Sequence, residues 1–418
     1  MPAALLTMPE HCGTLAAARC LGDAGVEVHT ASDRALASGA FSRRVRARLR
    51  APGLDRPGEL VAWLLEYGAR HPGTVLYPTN DELAWLQALH ASAFARRFRT
   101  YGPDVDVIER VLDKERLHHA CREAGVDVPE TRFPTTREDA RRAARELGGP
   151  VLLKQRTQIL SRTHSKGRVV EPSEDAADAF DAFVRANVHA PEVRARMPSA
   201  SLPLVQAYHA EGVGQSLVVS GFVDRTGAHF VARAARKVLQ RPRRLGIALC
   251  LEAQPLDAQL AARVRDLCAR VGYHGVFQVE LLCVGPRRLL IDFNPRYYHY
   301  MAFDVARGMP LPLLVQHAAT GDEGALARAV ADAQPDRGPR AFSSALDHWE
   351  LIVAQTLAGR MPLGEAAHWR RWRASHRGAL VDAIDDPRDR TPMTVALAAH
   401  VLHRARHPRA FVRHVLEA

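Results

Sequence analysis

The sequence predicts an α/β fold: a parallel sheet with packed helices at the N-terminus, a mostly extended middle with a strong hairpin, and a helical extension at the C-terminus. Three observations carry this expectation. Short apolar runs alternate with helical patterns through the first hundred residues, a βαβ rhythm that calls for a parallel sheet with helices packed on it. From residue 202 to 252 the pattern is mostly extended, and a strong hairpin follows Gly275. After about residue 340 it becomes helical and rich in Arg, His and Trp.

Residues 3–7 read as the first strand, and the Ala/Leu-rich stretch 14–24 as a helix stopped by Gly25. Residues 26–30 make the next strand, 60–67 a helix, 74–77 a strand and 82–90 a helix. The turn Pro9-Glu10-His11-Cys12-Gly13-Thr14 is not a GxGxxG and gives little support to a dinucleotide site. Tyr77-Pro78-Thr79-Asn80-Asp81-Glu82 leads from a strand into a helix. Polar side chains there stand at the carboxyl end of a parallel strand, where α/β sheets bind ligands. A helix cap by Thr79 or Asn80, with acids favouring the first turn, is the plainer account.

Residues 105–125 form a helix pair ended by Gly125, with Pro129 barring extension. A helix over 134–147 closes at Gly148-Gly149-Pro150. Strand 151–154, the polar segment 157–167 and strand 168–171 follow, and Thr163-His164-Ser165-Lys166-Gly167 has the composition of a flexible hairpin tip. Residues 202–252 are mostly extended, and a helix over 257–271 precedes Gly275. In the tail, Trp369-Arg370-Arg371-Trp372 reads as a helix packing back on the body of the protein. No internal repeat is visible.

Composition narrows the function. With 47% hydrophobic and 25% charged residues the chain is globular. No apolar run approaches the ~20 residues of a membrane span, and the first residues lack the basic region and apolar core of a signal peptide. Six scattered cysteines without Cys-x-x-Cys spacing argue against zinc ribbons and disulfide frameworks and for a reducing, cytoplasmic setting. The net charge of +11 hints at an acidic partner, but the arginines are spread without a nucleic-acid-binding motif, so no nucleic acid is expected. Only four of the 57 basic residues are lysines: Lys114, Lys154, Lys166 and Lys237. Where arginine has taken nearly every basic position, a surviving lysine marks a place that needs a compact ammonium. Asparagine is rarer still, with Asn80, Asn187 and Asn294 alone.

The hairpin carries acids. Val276–Leu282 and Arg288–Asn294 flank a turn at Gly285-Pro286-Arg287, and pairing centred on Pro286 sets Glu280 opposite Asp292. Directly opposed side chains have Cβ atoms roughly 4.5–5.5 Å apart, and opposed like charges repel. Asn294 projects from the same face as Asp292, and Arg296 continues the row. Either a cation sits between the acids, for which oxygen-only ligands point to Mg²⁺ or Mn²⁺, or Glu280 pairs with a nearby arginine on a partly solvated face.

With those residues in place, the chain resembles the ATP-grasp superfamily, and within it the carboxylate–amine ligases. Glu280 and Asp292-Phe293-Asn294-Pro295-Arg296 are similar to the family's metal motif, an acid on one strand and Glu-x-Asn-x-Arg on the next. Asp113-Lys114, with Gly125-Val-Asp-Val-Pro129 after it, looks like the entry into the nucleotide lobe, and Gly149-Pro150-Val-Leu-Leu-Lys154 like the strand whose Lys meets the ATP phosphates. Ser165-Lys166-Gly167 falls at the phosphate-covering loop, Leu204-Val-Gln206-Ala-Tyr208 at the adenine hinge, and Arg236-Lys237 at a basic pair near the transferred phosphate. Gly308-Met-Pro310 also has a family look. Two departures stand out: Asp292 replaces the usual Glu, and Ala207 stands where Glu is common, which leaves the ribose to Glu211 or Gln215.

The resemblance, over about residues 1–330, implies an ATP-grasp fold divided into an N-terminal α/β domain (1–110), a small nucleotide lobe (111–202), a large lobe with the metal site (203–340) and the helical extension (341–418). It implies ATP and Mg²⁺ (or Mn²⁺) as cofactors, a small-molecule carboxylate and an amine as substrates, no membrane partner, and by analogy a homodimer. ATP would phosphorylate the carboxylate, and the amine would displace phosphate from the acyl phosphate to give an amide, ADP and Pi. Lys114 and Lys154 would hold phosphates, Lys166 would close over them, and Gln206 and Tyr208 would receive adenine. Glu280, Asp292 and Asn294 would hold the metal, while Arg296, assisted by Lys237, would stabilise the transferring phosphoryl group. Arg236, Arg244 and Tyr297 are candidates to line an acid-binding pocket. The alternatives are carboxylase or carbamoyl-phosphate-type chemistry on bicarbonate, disfavoured because the sequence contains no biotinyl domain and no second ATP-grasp half, and a basic interaction protein without catalysis.

Overall fold

The computed structural model describes residues 1–163, 167–243 and 246–407, so Lys166 and Arg244 lie outside the described residues. The first hundred residues form a parallel sheet in the order β3-β2-β1-β4-β5, built from β1 (Ala4–Thr7), β2 (Val28–Ser32), β3 (Val45–Arg50), β4 (Val75–Leu76) and β5 (Arg99–Thr100). Alternation buries β1 on both faces. Leu5 packs with Leu60, Leu64 and Trp85, and Ala4 and Leu6 pack with Ala17 and Leu21 of the helix Cys12–Asp23. The strand order reverses between β1 and β4, so the loops at their carboxyl ends border a crevice. β3 is a strand the sequence reading passes over. Val45, Ala47 and Leu49 alternate with Arg46, Arg48 and Arg50 in half-exposed register, a charged-edge pattern hidden among many other arginines.

The second sheet is antiparallel, order β6-β9-β7-β8, from β6 (Thr131–Arg132), β7 (Val151–Gln155), β8 (Arg168–Val170) and β9 (Pro203–Ala207). Val151, Leu153 and Val205 bury one face against Ala140 and Ala143 of the helix Arg137–Leu147 and Phe180 of the helix Ala176–Ala186. The intervening positions, Lys154, Leu204 and Gln206, take the opposite face.

The third sheet has seven strands in the order β14-β13-β10-β11-β12-β15-β16. They are β10 (Ser216–Val223), β11 (Phe230–Arg241), β12 (Ile247–Gln254), β13 (Gly275–Val284), β14 (Arg287–Asn294), β15 (Ala341–Ser343) and β16 (Leu380–Asp382). Phe277, Val279 and Leu281 of β13 pack on Val264, Leu267 and Val271 of the helix Ala258–Val271. That helix starts where the Asp257 side chain accepts from the Leu260 N–H and ends at Gly272 (φ 78°). Gln278 and Glu280 therefore face away from the helix, toward the second sheet.

The tail packs back on the body as expected: Trp369 and Trp372 of the helix Leu363–Ser375 are buried with Leu239, Leu249 and Cys250. It also supplies β15 and β16, whose three residues each are too few to show periodicity. Further on, Asp389 accepts from Arg19 (2.9 Å), the Ser42 hydroxyl (2.6 Å) and the Arg43 N–H (3.0 Å), tying the extension to the N-terminal sheet's helix and loop. Among the described residues no helix is long and apolar enough to cross a membrane.

Candidate active site

Glu280 and Asp292 do face each other, and Gln278 faces Asn294 in the same register. The route to that register differs from the expected one. Val284 pairs with Arg287, so the turn is the two residues Gly285-Pro286 rather than three, and Leu281 pairs with Leu290. A bulge at Ile291 then shifts the ladder by one residue. The bulge lets Leu290 and Phe293 both enter the core on the helix side while Asp292 and Asn294 turn to the cleft. Without it Ile291 would oppose Glu280.

Each acid meets a lysine from another element. Lys114 is the first residue of the helix Lys114–Glu123, whose start is capped by Asp113 through the Glu115 and Arg116 N–H groups. Its Nζ lies 2.5 Å from Asp292 Oδ1. Lys237 on β11 is 4% exposed and donates to Glu280 Oε1 (2.7 Å) and to the Gly246 carbonyl (3.0 Å). Lys154 on β7 lines the same cleft, a space of about 230 Å³ between the second and third sheets, closed on one side by Asp81 and bordered by Thr157, Ile159, Tyr298 and Tyr300. Desolvation pushes the Asp292 carboxyl up, but Lys114 and Lys154 outweigh it and hold Asp292 below the ordinary carboxylate range.

Arg296 reaches across to the helix Asp81–Leu89 that follows β4. Its Nε and Nη2 fork onto the Asp81 carboxylate at 2.9 and 3.2 Å, and Nη2 also donates to Asn294 Oδ1 at 2.9 Å. Burial alone would lower its pKa; Asp81 and then Asp292 more than offset that, so the guanidinium holds its proton above the usual value. The loop before Asp81 divides its work: Asn80 caps the helix Asp81–Leu89 by accepting from the Leu83 N–H, Thr79 bonds Thr7, and Asp81 alone enters the cleft.

The next residue titrates unusually. Burial, reinforced by the Asp81 carboxylate, pushes Glu82 up to about 7. An acid whose pKa rises on folding binds its proton more tightly when folded. Its stabilising share is whole below the unfolded value of ~4.3 and is lost as pH rises through about 7. Glu82→Gln is therefore expected to match the parent in urea unfolding near pH 4 and to exceed it at pH 8. A difference that does not grow with pH would contradict this assignment.

Several expected site residues sit elsewhere. Arg236 points to the other side of β11 from Lys237, as alternation requires, and pairs with Glu252 at 2.7 Å. Tyr297 is 1% exposed in the core beside Tyr77 and is not part of the cleft wall. Glu211 lies in the short turn Ala210–Gly212 against His209 and is not part of the cleft wall. Gln206 donates to the Thr131 hydroxyl (3.1 Å) in a small cavity that shares Lys114 and Ile291 with the cleft. The hinge N–H groups of Ala207 and Tyr208 are already given to the carbonyls of Glu130 and Pro150. Gln278 is a residue the sequence reading missed; it stands two positions before Glu280, so extending the alternation along β13 would have found it.

The donor set fits a hard cation. Among the described residues no three or more His, Cys, Asp or Glu side chains converge as a metal cage. Two carboxylates, each with only one oxygen bonded to its lysine, plus the Asn294 amide match a Mg²⁺-like ion that completes its shell with water and phosphate oxygens.

No protein-family model matches the chain. It is similar to the large chain of carbamoyl phosphate synthase from Thermus thermophilus, 24% identical over 240 residues, 53% of this chain and 21% of that one. The same enzyme chain from Rubrobacter xylanophilus is 23% identical over 253 residues, 59% of this chain and 21% of that one. The chain thus spans about a fifth of the length of these relatives. Among solved structures, biotin carboxylase from Campylobacter jejuni in complex with an ATP ligand superposes with TM-score 0.61 and 18% identity over 77% of this chain and 71% of that one. The biotin carboxylase domain of Hydrogenobacter thermophilus 2-oxoglutarate carboxylase gives 0.61 and 17% over 77% and 70%. An N5-carboxyaminoimidazole ribonucleotide synthetase gives 0.57 and 11% over 76% of each chain. These proteins share one fold, and it is the fold of this chain.

Proposed function

We propose that this chain, a protein of ATP-grasp fold, uses ATP and a divalent cation to activate a small-molecule carboxylate as an acyl phosphate and passes the acyl group to an amine, releasing ADP and Pi. The supporting observation is the convergence of Glu280, Asp292, Asn294, Lys114, Lys154, Lys237 and Arg296 on one cleft between the second and third sheets. Phosphoryl transfer asks a protein mainly for positioning and charge neutralisation, and this set is built from charges held on rigid strands.

Lys114 and Lys154, which line one cleft with Asp292, would hold polyphosphate oxygens. The small cavity beside Lys114, walled by Leu204, Leu290 and Ile291 with Gln206 at its edge, would take the base, with recognition by side chains because the Ala207 and Tyr208 N–H groups are spent. Glu280, Asp292 and Asn294 would hold the cation. When bound, Mg²⁺ supplies charge neutralisation between phosphate oxygens. Lys237, bonded to Glu280, and Arg296, bonded to Asn294, would stabilise charge on the transferring group and on the tetrahedral intermediate. Lys166 is proposed to cover the phosphates. A cytoplasmic setting, a homodimer, and a division of the chain near residues 110, 202 and 340 belong to the same proposal. Glu211 has no part in it as placed, so ribose recognition falls to other groups.

Incubation with ATP, Mg²⁺, pooled carboxylic acids and pooled amines tests the reading. ADP release that needs one acid and one amine together supports it. ADP release on bicarbonate alone would favour carboxylase-type chemistry, the reading suggested by a structural neighbour described in complex with MgADP and bicarbonate. ADP release indifferent to any acid would contradict both.

A further inference from the structure

We propose that Asp81, supplied by the helix that follows β4, is a positioning residue that holds Arg296 and, through it, sets the direction of the Asn294 amide oxygen. The inference rests on the assignment of Asn294 and Arg296 to the cation and phosphoryl site. Four side chains form one continuous relay. The Asp81 carboxylate accepts both arms of the Arg296 fork (2.9 and 3.2 Å), Arg296 donates to Asn294 Oδ1 (2.9 Å), and Asn294 Nδ2 donates to Gln278 Oε1 (2.6 Å).

The relay matters because an asparagine amide has two unlike ends on a soft torsion. Only its oxygen can serve a cation; turned over, the NH₂ group would face it. Gln278 accepts from the nitrogen and Arg296 donates to the oxygen, so the two neighbours select one orientation. The oxygen keeps a second lone pair for the cleft. Arg296 can do this only if its own plane is fixed, and a bidentate carboxylate is the partner that fixes a guanidinium plane.

Asp81 is itself rigid. It is the first residue of the helix Asp81–Leu89, pinned by the Asn80 cap, and the Tyr297 N–H donates to the Pro78 carbonyl (3.2 Å), stapling the loop before Asp81 to the segment after Arg296. Thr79 anchors the same loop to Thr7 at the end of β1 (2.8 Å). The neighbouring Glu82 joins none of these bonds. The helix that follows β4 thus reaches the proposed cation site through one carboxylate. Partners that orient metal ligands in this way typically cost about 10- to 100-fold in affinity or activity when removed.

The scarcity of asparagine allows a direct test. With selective ¹⁵N-asparagine labelling, only Asn80, Asn187 and Asn294 contribute side-chain amide pairs, and Asn294→Ser assigns the third by deletion. Asp81→Ser, which adds no amide, is expected to move the Asn294 pair by more than a linewidth. Asn187, held far away by Gln155 and the Ala200 carbonyl, stays in place and reports that the fold is intact. If the Asn187 pair also moves, Arg296→Lys, which keeps the charge but loses the fork, makes the same comparison. An Asn294 pair unmoved in a folded variant overturns the proposal whether or not the chain proves to be a ligase. In turnover, Asp81→Ser is expected to lower kcat about 10- to 100-fold with KM for ATP within about threefold, since Lys114 and Lys154 are untouched. A bridge that merely joined two parts of the fold would leave kcat and the Asn294 signal alone, and that result would also overturn it.

Discussion

Asp292→Asn is expected to cut ADP formation by about a hundred- to a thousandfold, the scale of removing one preorganised electrostatic group from a transition-state site. The substitution keeps the shape, removes the anion and replaces one acceptor oxygen with an NH₂ donor. Three consequences converge on that atom set. In the proposed site the cation would lose one of its two carboxylates. Lys114, now 2.5 Å from Asp292 Oδ1, loses the charge that aims it into the cleft. The offset that Lys114 and Lys154 provide against desolvation disappears with the charge it acts on. Stability should barely change, because the side chain is 41% exposed and exposed pairs are worth only ~0–1 kcal/mol. A coupled ADP assay and a urea unfolding curve check the two halves. Full ADP production by Asp292→Asn, or by Lys154→Ala, would show that the cleft is not the reaction site.

The largest stability effect is expected behind the site. Arg307 is fully buried and binds Asp336 through two nitrogens (2.9 and 2.6 Å), the Ala234 carbonyl (3.2 Å) and Asp304 (3.4 Å). Asp304, 1% exposed, also accepts from Ser220 and Tyr298, both at 2.6 Å. Burial raises the Asp304 carboxyl even with Arg307 and these hydroxyls working against it. Arg307→Met keeps the length of the side chain and strands that acid, so a loss of about 3–5 kcal/mol is expected, the cost of breaking a buried pair from one side. Removing the cation raises the folded pKa of Asp304 further. The deficit should therefore be larger at pH 8 than at pH 5, because the acid can fold protonated only at low pH. A deficit that is small, or larger at pH 5, would mean that Asp304 is not charged in the folded protein.

How much was legible beforehand depends on the range of the forces involved. The acids of β13 and β14 stood out because a charge on an alternating apolar strand breaks a period of two, which is local information. The opposition of Glu280 and Asp292 was expected, yet through a three-residue turn and a regular ladder. The protein uses a two-residue turn and a bulge at Ile291, and the two one-residue shifts cancel. No glycine or proline marks that bulge. It follows from Leu290 and Phe293 sharing one core, which is a tertiary demand. Asn80 as a helix cap was legible for the same local reason as the acids. The partner of Arg296 was not, because Asp81 is 215 residues away and only the docking of the N-terminal sheet brings it near. Tyr297 and Arg236 were misplaced by sequence proximity to the motif: burial claimed the first and strand alternation turned the second outward. Of the rare lysines, Lys114, Lys154 and Lys237 meet in one cleft; Lys166 lies outside the described residues.

Isotope transfer tests the central claim most directly. The acid that supports ADP release is supplied with ¹⁸O in both carboxylate positions, and the released Pi is analysed by mass. Formation of the acyl phosphate makes one carboxylate oxygen the bridge to phosphorus, and attack of the amine at the carbonyl carbon expels phosphate with that oxygen. The account predicts one ¹⁸O in each Pi and one retained in the amide. Pi carrying oxygen from water alone, with the acid's label undisturbed, would contradict it.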